Sequence, residues 1–330
     1  MRIFLQLPLS FVYNIGQFFA GSKKGGCDLS QPNVGHIDFL NVTPLGYAYR
    51  HHQAPDINIC CGVPSQLNRA IREGTLDVSN VSSILYAKKA DDLVILPDVC
   101  ISADGAVKSI LLVSRVPIEQ IGTSPIALTQ KSETSHALVK IILSKKYAAA
   151  PTYSVQPLLP DTPVPEGQTA ALFIGDDALW LYHHRNPAYY YYDIGTEWKA
   201  LTGKKMVYAL FVANKTFAHA FPNDLQLVYN RITDGFRYGL HHRAAVIREA
   251  IARRAHAKIP LVFQRAELED YLGPTIQWAL TDAYIDGLQT FYRLAFETGL
   301  IKREPALTFA SVNRIKKPLH RHACKNILSH

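Results

Sequence analysis

The chain has 330 residues, 48% hydrophobic and 19% charged, which fits a globular protein of two domains or one domain split into two lobes. Its net charge of +8 lies at the ends: residues 301–330 carry seven Lys or Arg against Glu304, residues 1–34 carry Arg2, Lys23 and Lys24 against Asp28, and 35–300 are neutral. A neutral body argues against a nucleic-acid partner, five cysteines without a CxxC spacing argue against a zinc site or a disulfide framework, and no run reaches the roughly 18 apolar residues of a membrane span.

Residues 3–20 are mostly apolar and lead to the small Ala20-Gly21-Ser22, so 1–22 are weakly signal-like, although Gln6, Pro8, Asn14 and Gln17 interrupt the run. A signal peptide, a dispensable leader and an over-long start all fit, and residues 1–33 are set apart from the fold. From Val34 the pattern is that of a folded chain. Gly35–Arg50 opens as a strand in which Ile37 and Phe39 alternate with His36 and Asp38, then reaches Asn41, a loop at Pro44 and an aromatic segment. An asparagine there either ends the strand or places an amide at the mouth of an α/β cleft. Asp56–Cys61 reads as a second strand, Val63 to Gly74 as a helix, and Leu76–Val81 as a third strand running through Ser82-Ser83 into another helix. Residues 93–102 are β-like, and Val107–Ser114 forms a longer strand ending at Arg115-Val116-Pro117, a crossing between lobes.

Beyond it lie strand Ile126–Leu128, Thr129, the polar QKSETS and a well-patterned helix with Ala137, Leu138, Ile141 and Ile142 on one side. Residues 148–169 hold one short strand at most, and AALFI (170–174) is a buried strand ending at Gly175-Asp176-Asp177. Met206–Ala213 matches 108–114 in length and character, and the two are taken as antiparallel crossover strands. From 216 to 300 the chain is helical, with 277–298 as one helix closed by Gly299, and the tail after 300 lacks a period. This divides the chain into lobe 1 (34–112 and 214–300), lobe 2 (113–213) and a basic tail (301–330).

Three places share one design, a short apolar strand passing through Ser, Thr, Gly or Asp directly into a helix: Val81-Ser82-Ser83, Thr129 to Ser135, and Ile174-Gly175-Asp176. At such strand ends, free N–H groups and hydroxyls converge. Plain helix capping explains any one of them. KSETS, however, carries a polar side chain at every position where a cap needs one, and three junctions shared by two lobes suggest an anion cleft. No Walker A loop, GxGxxG, HExxH or GxSxG is present.

The segments GHIDFLN (35–41), VPSQLNRAIREGTLDVSNVSSILYA (63–87), ISADGAVKSILLVS (101–114), LTQKSETSHALVKIIL (128–143), ALFIGDDAL (171–179), YDIGTEWKALTGKKMVYALFVAN (192–214) and YLGPTIQWALTDAYIDGL (271–288) together resemble the chorismate dehydratase family of futalosine-pathway menaquinone biosynthesis. The likeness covers about 250 residues in order. The leader, the basic tail and Gly203-Lys204-Lys205 depart from it, the last where such enzymes more often have a Gly-Leu-Pro turn.

The resemblance implies an α/β fold of the type II periplasmic-binding-protein kind, two lobes joined by two crossover strands with a C-terminal helical segment, closing over a small-molecule substrate. It implies a cytoplasmic lyase that takes water from chorismate to leave 3-[(1-carboxyvinyl)oxy]benzoate, with neither cofactor nor metal needed because aromatisation drives the reaction. Asn41 matches the family's active-site asparagine. Ser82, Ser83, Ser132, Thr134 and Ser135 would hold carboxylates, Asp176 would orient a hydroxyl, and Ser102, Gly105, Thr129 and Gly175 complete the expected substrate contacts. Glu133 is the nearest candidate for a general base, but the substrate's own enolpyruvyl carboxylate is an alternative. Rival readings are 1,4-dihydroxy-6-naphthoate synthase of the same pathway, from which SSILYA and SADG point away, and a solute-binding protein of the same fold with 1–22 as its signal.

Overall fold

Apolar alternation and short polar junctions resolve into two five-stranded sheets, each flanked by helices. The protein is seen in a computed structural model that describes residues 31–51, 54–256, 261–314 and 319. The leader before residue 31 and most of the tail beyond 314 lie outside that description. The first half contains β1 (Asn33–Ile37), a 3-10 turn (Leu40–Val42), α1 (Thr43–His51), β2 (Asn58–Gly62), α2 (Pro64–Arg72), β3 (Val78–Ser82), α3 (Ser83–Lys89) and β4 (Leu93–Ala103). Then come β5 (Ile110–Ser114), β6 (Ile126–Thr129), α4 (Thr134–Tyr147), β7 (Tyr153–Gln156), β8 (Ala170–Ile174), α5 (Gly175–His183), β9 (Tyr190–Asp193) and α6 (Ile194–Thr202). The chain returns through β10 (Met206–Asn214) to α7 (Lys215–Ala220), α8 (Pro222–His241), α9 (Arg243–His256), α10 (Arg265–Asp270), a π-helical turn (Tyr271–Thr275) and α11 (Asp282–Glu297).

One sheet has the order β2-β1-β3-β10-β4 and the other β7-β6-β8-β5-β9. In each, the strand that has come from the other half runs antiparallel to its neighbours: β10 between β3 and β4, β5 between β8 and β9. The expected crossover strands, 108–114 and 206–213, thus enter different sheets and do not pair with each other. The two apolar runs are alike in length and hydrophobicity, and that likeness says nothing about which sheet receives each. The chain crosses between sheets at 104–109 and 194–205, ahead of each of these strands, so the lobe boundaries move from 112/113 and 213/214 to those segments. The fold also begins slightly before Val34, since the Asn58 N–H donates to the Pro32 carbonyl at 2.8 Å and Asn33 opens β1.

Two further expectations are corrected at the outer edge of β4. Residues 276–281 are extended instead of helical: Cys100 N–H donates to the Trp278 carbonyl at 2.8 Å, and Gln277 bridges Ser102. Gly273 and Pro274 interrupt the helical pattern there, and the strand edge supplies the hydrogen bonds that the segment would otherwise lack. The start of the tail is docked as well. Phe309 bridges Ile95, and Arg314 forms an ion pair with the nearly buried Asp98. Both segments cover an edge that would otherwise be open to pairing with another chain.

Period-two alternation divides the second sheet into two faces. Leu111, Val113, Ala127, Ala171 and Phe173 point into a separate small core, whereas Ile110, Leu112, Ile126, Leu128, Leu172 and Ile174 join the main one. Ile110 and Ile174, paired in register, are thus presented toward the first sheet.

The crossings are fixed to each other by one carboxylate. Asp193 accepts from the Val107 N–H at 3.1 Å, the Lys108 N–H at 2.6 Å and, as N-cap of α6, the Thr196 N–H at 2.9 Å. Gly195 is next to it, and a Cβ there would stand 2.2 Å from the Gly105 carbonyl oxygen and 2.7 Å from the Tyr208 hydroxyl. Gly195→Ala must force the crossing apart, and a loss of about 1–3 kcal/mol of stability is expected in denaturant titration. An unchanged midpoint would show that the crossing yields freely.

Candidate functional site

Between the two sheets lies a cleft enclosing about 640 Å³ of empty space, mouth included. Its walls are apolar: Ile37 at the end of β1 and Phe39 beyond it, Ile101 of β4, Val107 of the first crossing, Ile110 at the start of β5, Ile174 of β8, and Ile276 just after the π turn. Helix starts from both lobes meet there. Asn41 precedes α1, Pro64 opens α2, Ser82 precedes α3, Ser132 and Ser135 flank the start of α4, and Gly175 is the first residue of α5. Free N–H groups and the positive ends of helix dipoles favour an anion at such positions, without a formal charge on the protein.

The expected site residues divide into two groups. Asn41, Ser82, Ser132, Ser135 and Gly175 line the cleft. The Asn41 backbone is held by its carbonyl, which accepts from Trp278 Nε1 at 2.8 Å, and among the described residues its side-chain amide bonds to no protein group. Ser82 Oγ accepts from Asn68 Nδ2 at 3.1 Å, and the Ser132 and Ser135 hydroxyls are 3.1 Å apart. Gly175 has φ +63°, which favours glycine, and a Cβ would meet the Phe39 ring at 3.4 Å.

Ser83, Ser102, Gly105, Thr129, Thr134 and Asp176 do not line the cleft. Ser83 donates to the Val207 carbonyl at 2.7 Å, and Ser102 Oγ donates to the Gln277 carbonyl at 3.0 Å. Gly105, at φ +90°, makes the turn of the crossing, and Thr129 Oγ1 accepts from the Lys131 N–H at 3.3 Å. Thr134 Oγ1 accepts from the Ile84 N–H at 3.1 Å, a bond from one lobe to the other. Asp176 does not await a ligand hydroxyl: one oxygen accepts from the Leu40 N–H at 3.2 Å and the other pairs with Arg254 of α9. Glu133, the candidate base, is ion-paired across the lobes with Lys88 at 2.9 Å.

The sequence reading left four polar cleft residues out of the site: Asn80, Ser109, Lys131 and Tyr208. Asn80 was findable, since in VSNVS it shares a strand face with Ser82. Tyr208 had no such signal. The β10–β4 register slips between Val207 and Ala209, and Tyr208 is the extra residue at that irregularity. Ser109 receives the Tyr271 hydroxyl at 2.8 Å, so the π turn buttresses this wall. Lys131, the one lysine or arginine among the lining residues, is paired with Asp177. Burial, and then the nearby Asp193 carboxylate, push the Tyr208 phenol well above its ordinary range, so it remains a neutral donor.

Two α/β lobes with helix starts directed into a central cleft define a protein of the periplasmic-binding-protein-like class. A structural-genomics target from Archaeoglobus fulgidus shares the fold at TM-score 0.64 and 15% identity, over 83% of this chain and 100% of that one. The alkanesulfonate-binding protein of Xanthomonas axonopodis pv. citri, bound to MOPS, gives 0.62 and 17% over 88% and 100%. A Candida albicans protein described as having the generic periplasmic binding protein fold gives 0.58 and 12% over 87% and 99%. Residues 32–297 match the menaquinone-biosynthesis family, and the chain belongs to that family. A chorismate dehydratase from Thermus thermophilus is 34% identical over 120 residues, which span 36% of this chain and 42% of that relative.

The support beneath the Asn41 turn yields two predictions. Burial holds the His36 imidazole, packed edge-on to Tyr49 under α1, down to about 4 from an ordinary 6.5, against the pull of Asp38 and with help from Arg50 and Arg253. Between those values the unfolded chain binds the extra proton and the folded one does not, so stability falls as pH drops from about 6.5 to 4, by about 3 kcal/mol in total. His36→Leu should flatten that acid limb in denaturant titrations across pH; an unaltered limb would place its origin elsewhere. The Asp176–Arg254 pair, both side chains mostly buried, should show coupling: Asp176→Leu alone costs about 2–3 kcal/mol by leaving Arg254 unpaired, and adding Arg254→Leu recovers part of it. Additive losses in that cycle would contradict the pairing.

Proposed function

We propose that the protein is a chorismate dehydratase, a hydro-lyase converting chorismate to 3-[(1-carboxyvinyl)oxy]benzoate and water in menaquinone biosynthesis. The observation that carries this reading is the composition of the cleft, apolar walls with hydroxyls and helix starts from both lobes around them. Such a site suits a small ring bearing carboxylates. Family membership and the partial likeness to a named chorismate dehydratase support it. Cytoplasmic placement belongs to the same proposal; no helix of the described residues is long and apolar enough to cross a membrane.

In this reading Ser82, Ser132 and Ser135, with the N–H groups near them, hold the carboxylates, and Asn41 hydrogen-bonds the substrate at its reacting carbons. The C3–H bond breaks with its proton going to the enolpyruvyl carboxylate, the electron pair forms the new ring double bond, and the C4–O bond breaks with its pair leaving on oxygen, which takes the proton back from the carboxyl to depart as water. An amide is no base, Glu133 is committed to Lys88, and Tyr208 is kept neutral, which favours the substrate's own carboxylate as proton acceptor. Asn41→Ala should abolish turnover of chorismate, followed by the absorbance of the aromatic product, while chorismate affinity stays within about tenfold. Full activity in that variant would remove Asn41 from the reaction. Tight chorismate binding by the wild type without turnover would favour a solute-binding protein instead.

A further inference from the structure

Among the described residues, two buried polar groups of the cleft have no hydrogen-bond partner. Asn80 is 1% exposed, lines the cleft from β3, and its Oδ1 is buried with no hydrogen bond. Tyr208 is 8% exposed, lines the cleft from β10, and its hydroxyl is likewise buried and unbonded. Each such orphan costs about 1–3 kcal/mol in a folded protein, a cost that a ligand can repay. The strands that carry them are hydrogen-bonded neighbours, with Asn80 directly opposite Phe211, three residues on from Tyr208.

The chemistry of the pair differs from that of the serines. A carboxylate only accepts hydrogen bonds, so it would leave an amide oxygen unsatisfied. An amide oxygen needs a donor, a neutral phenol offers one, and a hydroxyl can both donate and accept. Chorismate as a dianion has two carboxylates and an ether, all of them acceptors, and a single group that donates: the C4 hydroxyl that departs in the reaction.

We infer that Asn80 and Tyr208 form the recognition site for the hydroxyl leaving group, distinct from the helix starts that take the carboxylates. This rests on the dehydratase reading above. Asn80 Oδ1 accepts a hydrogen bond from the hydroxyl and fixes the direction of the C–O bond, and Tyr208 donates to the oxygen as negative charge grows on it. The same pair selects against ring acids that lack a hydroxyl at this position, because both orphans would then stay unpaired.

The test compares two ligands that differ at that one group. Tyr208→Phe removes an oxygen without a partner among the described residues, and Asn80→Leu keeps approximate size, so both should retain the wild-type melting temperature or exceed it. In each, kcat/KM for chorismate is expected to fall about tenfold to a hundredfold, the range for losing a hydrogen bond to a group developing charge. Affinity for 3-[(1-carboxyvinyl)oxy]benzoate, which has no such hydroxyl, should stay within about threefold by calorimetry. Unchanged kcat/KM in both variants overturns the assignment, as does a parallel loss for chorismate and product, which would mean a carboxylate contact or a purely structural role. A wild-type protein that neither converts chorismate nor binds the product overturns the dehydratase reading and the hydroxyl site with it. That failure is told from the others because it precedes any substitution.

Discussion

One buried carboxylate sets the geometry on which everything else rests. Asp193 gathers N–H groups from Val107, Lys108 and Thr196, and so ties the outgoing crossing between the lobes to the helix that begins the return. Burial raises its pKa, and the bonds from Thr196, Lys108 and Val107 oppose that rise. Lys108 sits at φ +61°, a conformation uncommon for a residue with a side chain, and its ammonium pairs with Asp270 at the entrance to the π turn. Three segments distant in sequence therefore meet at one point. They also supply one wall of the cleft: Val107 and Ser109 from the crossing, Tyr208 from the returning strand, and Ile276 from beyond the π turn.

The opposite side of the cleft is closed by contacts between lobes that use the polar residues most suggestive of ligand binding. Asp176 reaches over to Leu40 and Arg254, Thr134 caps the start of α3 through Ile84, and Glu133 meets Lys88. Phe39 packs over Gly175, where the positive φ and the ring leave little space for a side chain. A capping residue and a ligand-binding residue have the same chemistry, and position alone decides between them. Here several caps hold one lobe on the other and thereby place the Asn41 turn, leaving the neighbouring serines to face the cleft.

This is where the sequence was legible and where it was not. Strand and helix alternation is a local property, and it showed the edges of β3, β6 and β8 to within a residue or two, along with the single short strand inside 148–169. The resemblance to a known family added the two-lobed class, which the solved structures share. Non-local pairing was hidden. Nothing in VKSILLVS or MVYALFVA states which sheet each will enter, and nothing in residues 276–281 or 306–310 announces that both will lie along β4. At the site, Ser82 and Ser135 stand at strand-to-helix junctions and could be found by pattern. Tyr208 enters the cleft only because the ladder slips by one residue, a tertiary event without a sequence signature.

The scarcity of charge in the cleft has a chemical consequence under the proposed reaction. A fixed cation against the enolpyruvyl carboxylate would favour its charged form and lower its pKa, making it a poorer proton acceptor. Hydroxyls and helix N–H groups also favour the charged form, but more weakly than a close ion pair. Lys131, the lysine that reaches the lining, is already paired with Asp177, so its field is partly cancelled before any substrate arrives. The apolar walls work in the same direction, since removing water from a carboxylate raises its affinity for a proton. A site that must both hold an anion and let that anion act as the base is better built from neutral dipoles than from arginines, and that is the composition these two lobes enclose.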